Sequence, residues 1–378
     1  MSVRRTYDTV LIATVAVLLV IGLVMVQSAS GPVAADRMGD SWHYVRRQAL
    51  AMGLGIGGCV ALALIPYHFI RRWAWVLFGL VAVALCAVFA FDPVNGARRW
   101  IGFGGINFQP SEFAKVAAVL CMADFLDRHA DRLADWKVLA KACAIPGVLM
   151  VLVLAEPDFG TTCILGGMAF LTLYVAGLRR KVLWGLGVGG VLAAIPAVMF
   201  ASYRMDRFRA VLDPYADPAG AGYQIIQSLI AFHSGGLVGR GLGESQAKHL
   251  FLPEPWTDFI ASVLAEELGL IGILALIGLY GVLIWRGLRI ARNAGDLFGV
   301  LLATSVTGTL GLQAFFNLGV ALGIVPPKGL VLPFMSYGAS AIMGHLLCIG
   351  LLLNISANGA PVPKTPPIYR ATATAEGF

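Results

Sequence analysis

Charge is the scarcest property of this sequence: Asp, Glu, Lys and Arg make up 13% of its 378 residues, against about 25% in a soluble domain. Hydrophobic residues make up 58%, and the mean hydropathy is +0.79. A soluble globule and a disordered chain are both excluded, and a single soluble core stops growing near roughly 250–300 residues. Cysteine is also sparse. Cys59, Cys86, Cys121, Cys143, Cys163 and Cys348 all lie in apolar stretches and form no CxxC pair, which excludes a disulfide framework and a thiolate metal site. Of six histidines, His43, His68, His129, His233 and His249 fall in loops, and His345 sits in an apolar run without an obvious partner. No His/Cys metal set or Ser–His pair emerges. The glycine-rich stretch 235–243 is neither GxGxxG nor a Walker loop and follows no strand, so it reads as a flexible loop rather than a phosphate cradle.

Long hydrophobic runs are abundant. A helix needs about 20 apolar residues to cross the hydrocarbon, and its backbone must be satisfied internally there. Ten candidate spans follow: 9–28, 48–65, 73–91, 112–126, 138–155, 160–177, 182–201, 258–285, 297–322 and 339–356. The fold class is therefore all-α, a polytopic integral membrane protein. Residues 1–356 form one membrane domain, with a long loop, 202–257, before the eighth span. The Pro- and Thr-rich tail 357–378 reads as disordered. The first run is longer than a signal-peptide core and is followed by further spans, so it is expected to remain as a helix.

With a cytoplasmic N-terminus, the inner segments hold sixteen Lys and Arg and the short outer loops hold six. The positive-inside rule then places both termini in the cytoplasm and loop 202–257 outside. The net charge of +7 reports topology and contact with anionic lipid, not nucleic-acid binding.

Ionisable groups at membrane depth are functional candidates, and four clusters gather near the outer face. In the first, Arg98, Arg99 and Trp100 precede Ser111, Glu112 and Lys115. Ser111 is placed to cap the fourth span. Glu112 and Lys115, three apart on one helix face, form either an internal ion pair or the wall of a polar cavity. In the second, Glu156 and Asp158 flank Pro157; they serve either as turn and cap or as oxygen ligands for a divalent cation. In the third, Glu254, Trp256 and Asp258 enter the eighth span, with Glu266 and Glu267 further in. Asp258 is either an N-cap or a functional acid. The fourth, 326–340, holds Pro326, Pro327, Lys328, Pro333, Ser336 and Gly338; it is either an outer turn or broken backbone lining a wet cavity.

Two classes fit these clusters: a transporter, or an enzyme acting on a lipid-linked anionic substrate at the outer surface. A transporter concentrates its ions near the midplane, often between two similar halves. Here the clusters sit at one interface and no matching halves are visible, which favours the enzyme.

The stretches GARRWI, FQPSEFAK, EPDFGTT, QSLIAFHSGGLVGRGLG, FLPEPWTDF, AEELGLIG and PPKGLVLPFMSYGAS occur in this order. Together they resemble the SEDS family (shape, elongation, division and sporulation) of peptidoglycan glycosyltransferases. The Lys328-Gly329-Leu330 stretch is most similar to the division-type branch. Trp256, Pro327 and Ala339 stand where the family commonly has His, Thr and Gly. The resemblance implies polymerisation of lipid II into glycan strands outside the cytoplasmic membrane, at the septum for a division-type member. An elongation-type polymerase, a lipid II flippase and a structural scaffold are the rival readings. It also implies Asp258 as essential aspartate and general base. Candidate substrate-binding residues are Arg98, Trp100, Glu112, Lys115, Arg240, Lys248, Glu254, Trp256, Lys328 and Ser336, with Arg98, Lys115, Arg240 and Lys248 as cations for the leaving pyrophosphate. A Mg²⁺ or Mn²⁺ requirement follows from the family, with Asp258, Glu156 and Asp158 as candidate ligands. The implied partners are a class B penicillin-binding protein and other divisome proteins.

Overall fold

Each of the ten apolar runs contains a helix in the computed structural model, which describes residues 6–93, 97–103, 106–199, 202–248 and 252–358. The helices are α1 (Thr9–Met38), α2 (His43–Leu64), α3 (Tyr67–Ala87), α4 (Pro110–Arg128), α5 (Trp136–Ala155), α6 (Phe159–Val175), α7 (Arg180–Met199), α10 (Ile260–Arg292), α11 (Leu297–Ala321) and α12 (Ala339–Asn358). The long loop holds two more, α8 (Ser202–Leu212) and α9 (Tyr223–Gly235). A hairpin of β1 (Ile101–Phe103) and β2 (Ile106–Phe108) precedes α4, with Ile101 opposite Phe108. Among the described residues, seven helices are long and apolar enough to cross a membrane: α1, α2, α3, α5, α10, α11 and α12. The tail expected to be disordered falls, from residue 359, outside the described residues, as do His249 and Phe251.

The fold has two distinct ends. At one, ion pairs fasten helix termini together. Asp8 caps α1 and receives the Arg286 guanidinium of α10 at 2.5 Å. Asp124 of α4 accepts from Arg71 of α3 at 2.5 Å and from Arg128 at 2.8 Å. Asp296 caps α11 and accepts from Tyr67 at 3.0 Å. The opposite end carries the hairpin, α8, α9 and the irregular segments before α10 and α12.

Ser111 does not cap α4. Gln109 occupies the cap, Pro110 starts the helix, and Ser111 is buried inside its first turn. Pro at the first helical position costs no hydrogen bond, because that N–H has no helical partner.

Glycine-rich 235–243 is not a flexible loop. It lies backbone to backbone against α10, which breaks at Gly269 (φ 66°, ψ −165°). Arg240 N and Gly241 N donate to the Glu266 and Glu267 carbonyls, both at 3.0 Å. Leu270 N and Ile271 N donate back to Gly236 O and Leu237 O, at 2.9 and 3.2 Å. Helix breaks within a membrane protein persist where neighbouring protein satisfies the freed peptide groups, and this loop does so for α10. Contact this close excludes side chains: a Cβ on Gly239 (φ 82°) would lie 2.2 Å from Glu267 O.

Gly239→Ala is therefore expected to destabilise the protein by about 2 kcal/mol or more, from left-handed strain plus overpacking. Gly189→Ala, with no neighbouring atom within 4 Å in the interior of α7, should be neutral or mildly stabilising. Thermal midpoints of the two detergent-solubilised variants check this; equal midpoints would remove the close-packing argument.

Candidate active site

Asp258 lies two residues before α10. The helix cap is Phe259, which contributes no side-chain hydrogen bond, so the N-cap alternative for Asp258 does not hold. Its backbone is fixed from two directions. Asn317 of α11 donates its Nδ2 to Asp258 O at 3.0 Å and to Leu330 O at 2.6 Å. Ser336 donates Oγ to Thr257 O at 2.5 Å, and Tyr337 N donates to Trp256 O at 2.8 Å. The broken 326–338 segment thus serves as the splint for the acid. Asp258 as a residue is half-buried, and its carboxylate makes no hydrogen bond among the described residues.

The charged groups acting on this carboxylate come from separate elements. Arg99 comes from the start of the hairpin, Arg207 from α8, and Glu254 and Asp158 from loops. Gly329 marks the junction: a Cβ there would lie 3.5 Å from Arg99 Nη1 and 3.8 Å from Asp258 Oδ2. Burial pushes the Asp258 carboxyl up to about 7. Glu254 and Asp158 add to the rise, while Arg207 and Arg99 oppose it.

Beside this junction opens a cavity of about 530 Å³ with two kinds of wall. Arg99, Arg204, Arg207 and Lys328 make one side cationic, and Val191, Ile195, Val198 and Met199 of α7 make the other aliphatic. Several of these α7 side chains are largely exposed outside the bundle. Arg99 is aimed by two backbone acceptors, Glu156 O at 3.1 Å and Pro157 O at 2.6 Å. Arg207 donates to Pro327 O at 3.0 Å. The Lys328 ammonium rests over the rings of Phe159 and Phe316, 5.0 and 5.2 Å from their centroids.

Glu156 and Asp158 divide their tasks. Asp158 caps α6, accepting from Thr161 N at 3.0 Å and Thr161 Oγ1 at 2.8 Å. Glu156 is fully buried and neither of its carboxylate oxygens has a partner. Burial and the neighbouring Asp158 push it up to about 8, against the pull of Arg99. Among the described residues no group of three or more His, Cys, Asp or Glu converges to hold a metal ion. The Asp158 oxygens serve the cap, and the surrounding charges are guanidinium and ammonium groups. These residues do not form a protein-only site for a divalent cation.

The remaining candidates scatter. Arg98 turns away from the cavity and donates to Phe89 O at 2.8 Å; its neighbour Arg99 takes the place expected of it. Lys115 pairs with Glu112 at 2.7 Å and donates to Gln313 at 2.8 Å, all buried between helices; this is the internal ion pair, not a cavity wall. Arg240 meets Glu266 at 3.3 Å and Lys248 meets Glu267 at 3.2 Å, so neither cation lines the cavity. Trp256 is buried against Tyr44 of α2, with ring centroids 5.0 Å apart, and no face is open to stack on sugar. Trp100 is half-buried and outside the cavity lining; Glu254 is exposed, its carbonyl accepting from Thr257. Ser336 is a buried positioning group. None of the four cations expected for the pyrophosphate lines the cavity, whereas Lys328, expected among the substrate-binding residues, does. Arg207 and α8 were missed, although the repeated arginines of 204–209 directly after an apolar run carry the signal.

The matches to known proteins cover this whole architecture. A family model described as cell cycle protein, spanning the FtsW, RodA and SpoVE proteins, matches residues 8–360. The chain belongs to this family. It is 39% identical to the probable peptidoglycan glycosyltransferase FtsW of Geobacter metallireducens, covering 94% of this chain and 96% of that one. It is 38% identical to stage V sporulation protein E of Bacillus subtilis, over 94% and 99%. Among solved structures, a chain of a peptidoglycan synthase complex that coordinates polymerization and crosslinking superposes with TM-score 0.76 at 30% identity, covering 93% of this chain and 98% of that one. Thermus thermophilus RodA superposes at 0.69 with 28% identity, over 94% and 99%. The likeness to FtsW, SpoVE and RodA thus extends over nearly the full length of each chain.

A carboxyl raised to about 7 by its fold is most stabilising when protonated, and that contribution is lost as pH rises through 7. Asp258→Asn is therefore expected to raise the thermal midpoint by a few degrees at pH 8, with the difference shrinking as pH falls and gone near the ordinary carboxylate value of 3.8. A pH series of melting curves checks it; a gain at pH 5 as large as at pH 8 contradicts the burial of this acid.

Proposed function

We propose that this chain is a peptidoglycan glycosyltransferase that polymerises lipid II at the outer face of the bacterial cytoplasmic membrane, in septal wall synthesis. One observation carries the reading. An acid without a hydrogen-bond partner among the described residues lies beside Gly329, which lines a cavity that is cationic on one side and aliphatic on the other. A sugar joined through pyrophosphate to a polyprenyl chain has the same two-sided chemistry. The family and the FtsW relatives support the activity and the division role. The excess of Lys and Arg in the inner segments, sixteen against six in the short outer loops, supports cytoplasmic termini. The likeness to a synthase complex that couples polymerization to crosslinking supports a class B penicillin-binding protein as partner within the divisome.

In this reading the 4-hydroxyl oxygen of the acceptor sugar attacks the anomeric carbon of the donor. The bond from that carbon to the pyrophosphate oxygen breaks, and the configuration inverts. The hydroxyl proton passes to Asp258. A base whose pKa lies near the working pH combines ionisation with driving force for proton transfer. No acid is required on the other side, because the leaving group departs as an anion. Arg99, Arg207 and Lys328 meet its growing charge from fixed positions, so little reorganisation accompanies the reaction. The aliphatic α7 wall takes the first part of the lipid. The deeper ions weigh against a transport path, because Lys115 is held by Glu112 and Gln313.

Purified protein with its partner, supplied with lipid II, should form glycan polymer. Asp258→Asn is expected to abolish it without loss of folded protein. Arg207→Ala and Arg99→Ala should each lower the rate about 10²-fold, in the range for losing one charge-stabilising donor, while Arg98→Ala stays within about threefold. The wild-type rate should rise with pH through about 7 as Asp258 ionises. Transfer of lipid II across liposomes without polymer would overturn the enzyme in favour of the transporter.

A further inference from the structure

Glycosyl transfer between two lipid-linked sugars needs two saccharides at Asp258 together, and the cavity described above accounts for one. A second depression, of about 390 Å³, lies outside it. Its walls are Tyr203, Asp206 and Arg207 of α8, Tyr223 and Gln224 at the start of α9, and Pro253. Tyr203 and Arg207 line both spaces, so α8 is a single helical partition between them. Arg207 is also among the cations acting on Asp258, so the partition carries a charge that acts on that acid.

The two spaces differ in chemistry. The second has none of the α7 aliphatic wall, and neither Lys328 nor Arg99 reaches it. It offers the Tyr223 ring, the Gln224 carboxamide and the Asp206 carboxylate beside the shared guanidinium, while the Tyr203 ring is faced by the Arg204 and Arg207 guanidiniums at 5.4 and 5.9 Å and its hydroxyl accepts from Arg204 Nε at 2.8 Å. Tyr223 and Gln224 are half-buried, and their side chains make no hydrogen bond among the described residues. Their backbone is firmly set: Ala221 N donates to Asp217 Oδ2 at 3.0 Å, Gly222 N to Asp217 O at 3.0 Å and Tyr223 N to Gly220 O at 3.2 Å. A site with one cation and one anion, lined by Ala219, Ala221 and Pro253 but without the long aliphatic wall of α7, does not select a lipid pyrophosphate. A flat phenol ring such as that of Tyr223 covers the C–H face of a sugar while its hydroxyl stays wet. A carboxamide both donates and accepts, and a carboxylate accepts from hydroxyls. The volume falls at the lower end of the roughly 300–1,000 Å³ common for small-ligand pockets.

We propose that the depression bounded by Tyr203, Asp206, Tyr223 and Gln224 is a saccharide subsite that holds the acceptor sugar, with α8 separating it from the pyrophosphate cavity. The assignment of the acceptor rests on the glycosyltransferase reading; the recognition of a sugar rests on the side chains alone. It gives the arginine of the partition a double role, facing the leaving group on one side and the incoming sugar on the other.

The test uses the full chain in nanodiscs and a lipid-free, phosphate-free N-acetylated disaccharide as probe, followed by saturation-transfer NMR. Wild-type protein is expected to bind the probe. Gln224→Ala and Tyr223→Ala should each weaken binding about tenfold, the size of losing one or two hydrogen bonds, and Lys328→Ala should leave it unchanged. Should Tyr223→Ala lower the thermal midpoint, Tyr223→Phe keeps the ring and reads the hydroxyl alone. Failure of the wild type to bind, or equal binding by all the variants, overturns the subsite. Polymer formation from lipid II is measured on the same preparation. Polymer without probe binding removes the subsite and leaves the glycosyltransferase reading intact. Probe binding without polymer overturns the acceptor assignment together with that reading.

Discussion

The site depends on the anchoring of one loop residue by a side chain from the middle of the bundle. Asn317 bridges Asp258 O and Leu330 O, and so ties the entry to α10 to the broken segment before α12. Ser336 and Tyr337 add two further bonds to Thr257 and Trp256. Irregular backbone at the edge of a membrane leaves peptide groups that need partners. Here the same bonds that satisfy them also hold an acid at a fixed place without occupying its carboxylate.

Charge is distributed by the same economy of partners. Cations deep in the protein are neutralised: Lys115 by Glu112, Lys248 by Glu267, Arg71 by Asp124 and Asp127. Arg99, Arg207 and Lys328 instead rest on carbonyls or aromatic faces. A guanidinium held by neutral acceptors keeps its charge for a ligand, whereas one held by a carboxylate does not. This difference, more than proximity in sequence, separates the cations of the cavity from those of the scaffold.

How far the site was legible is clearest at adjacent residues. Arg98 and Arg99 are equivalent in composition and neighbourhood, yet one reaches back to Phe89 O and the other forward to the Glu156–Pro157 turn. The choice is made by the hairpin that follows them and by a turn more than fifty residues away. Trp256 was expected to meet sugar because it stands beside Asp258, but Tyr44 covers it. Glu266 and Glu267 looked like functional acids because two carboxylates within a span are costly. Their partners Arg240 and Lys248 lie in and just after the glycine-rich stretch 235–243, whose backbone packs against α10 at its Gly269 break.

The sequence by itself determined the class, the ten apolar helices and the family, and it singled out Asp258 as the candidate acid. Those are properties of consecutive residues: hydrocarbon thickness sets the length of a run, and motif order is read along the chain. Which cations act on Asp258 and which are neutralised by carboxylates were decided only by the tertiary structure. Coulomb and hydrogen-bond energies fall with distance in space, and the distances among α8, the hairpin and the 326–338 segment do not exist until the bundle closes.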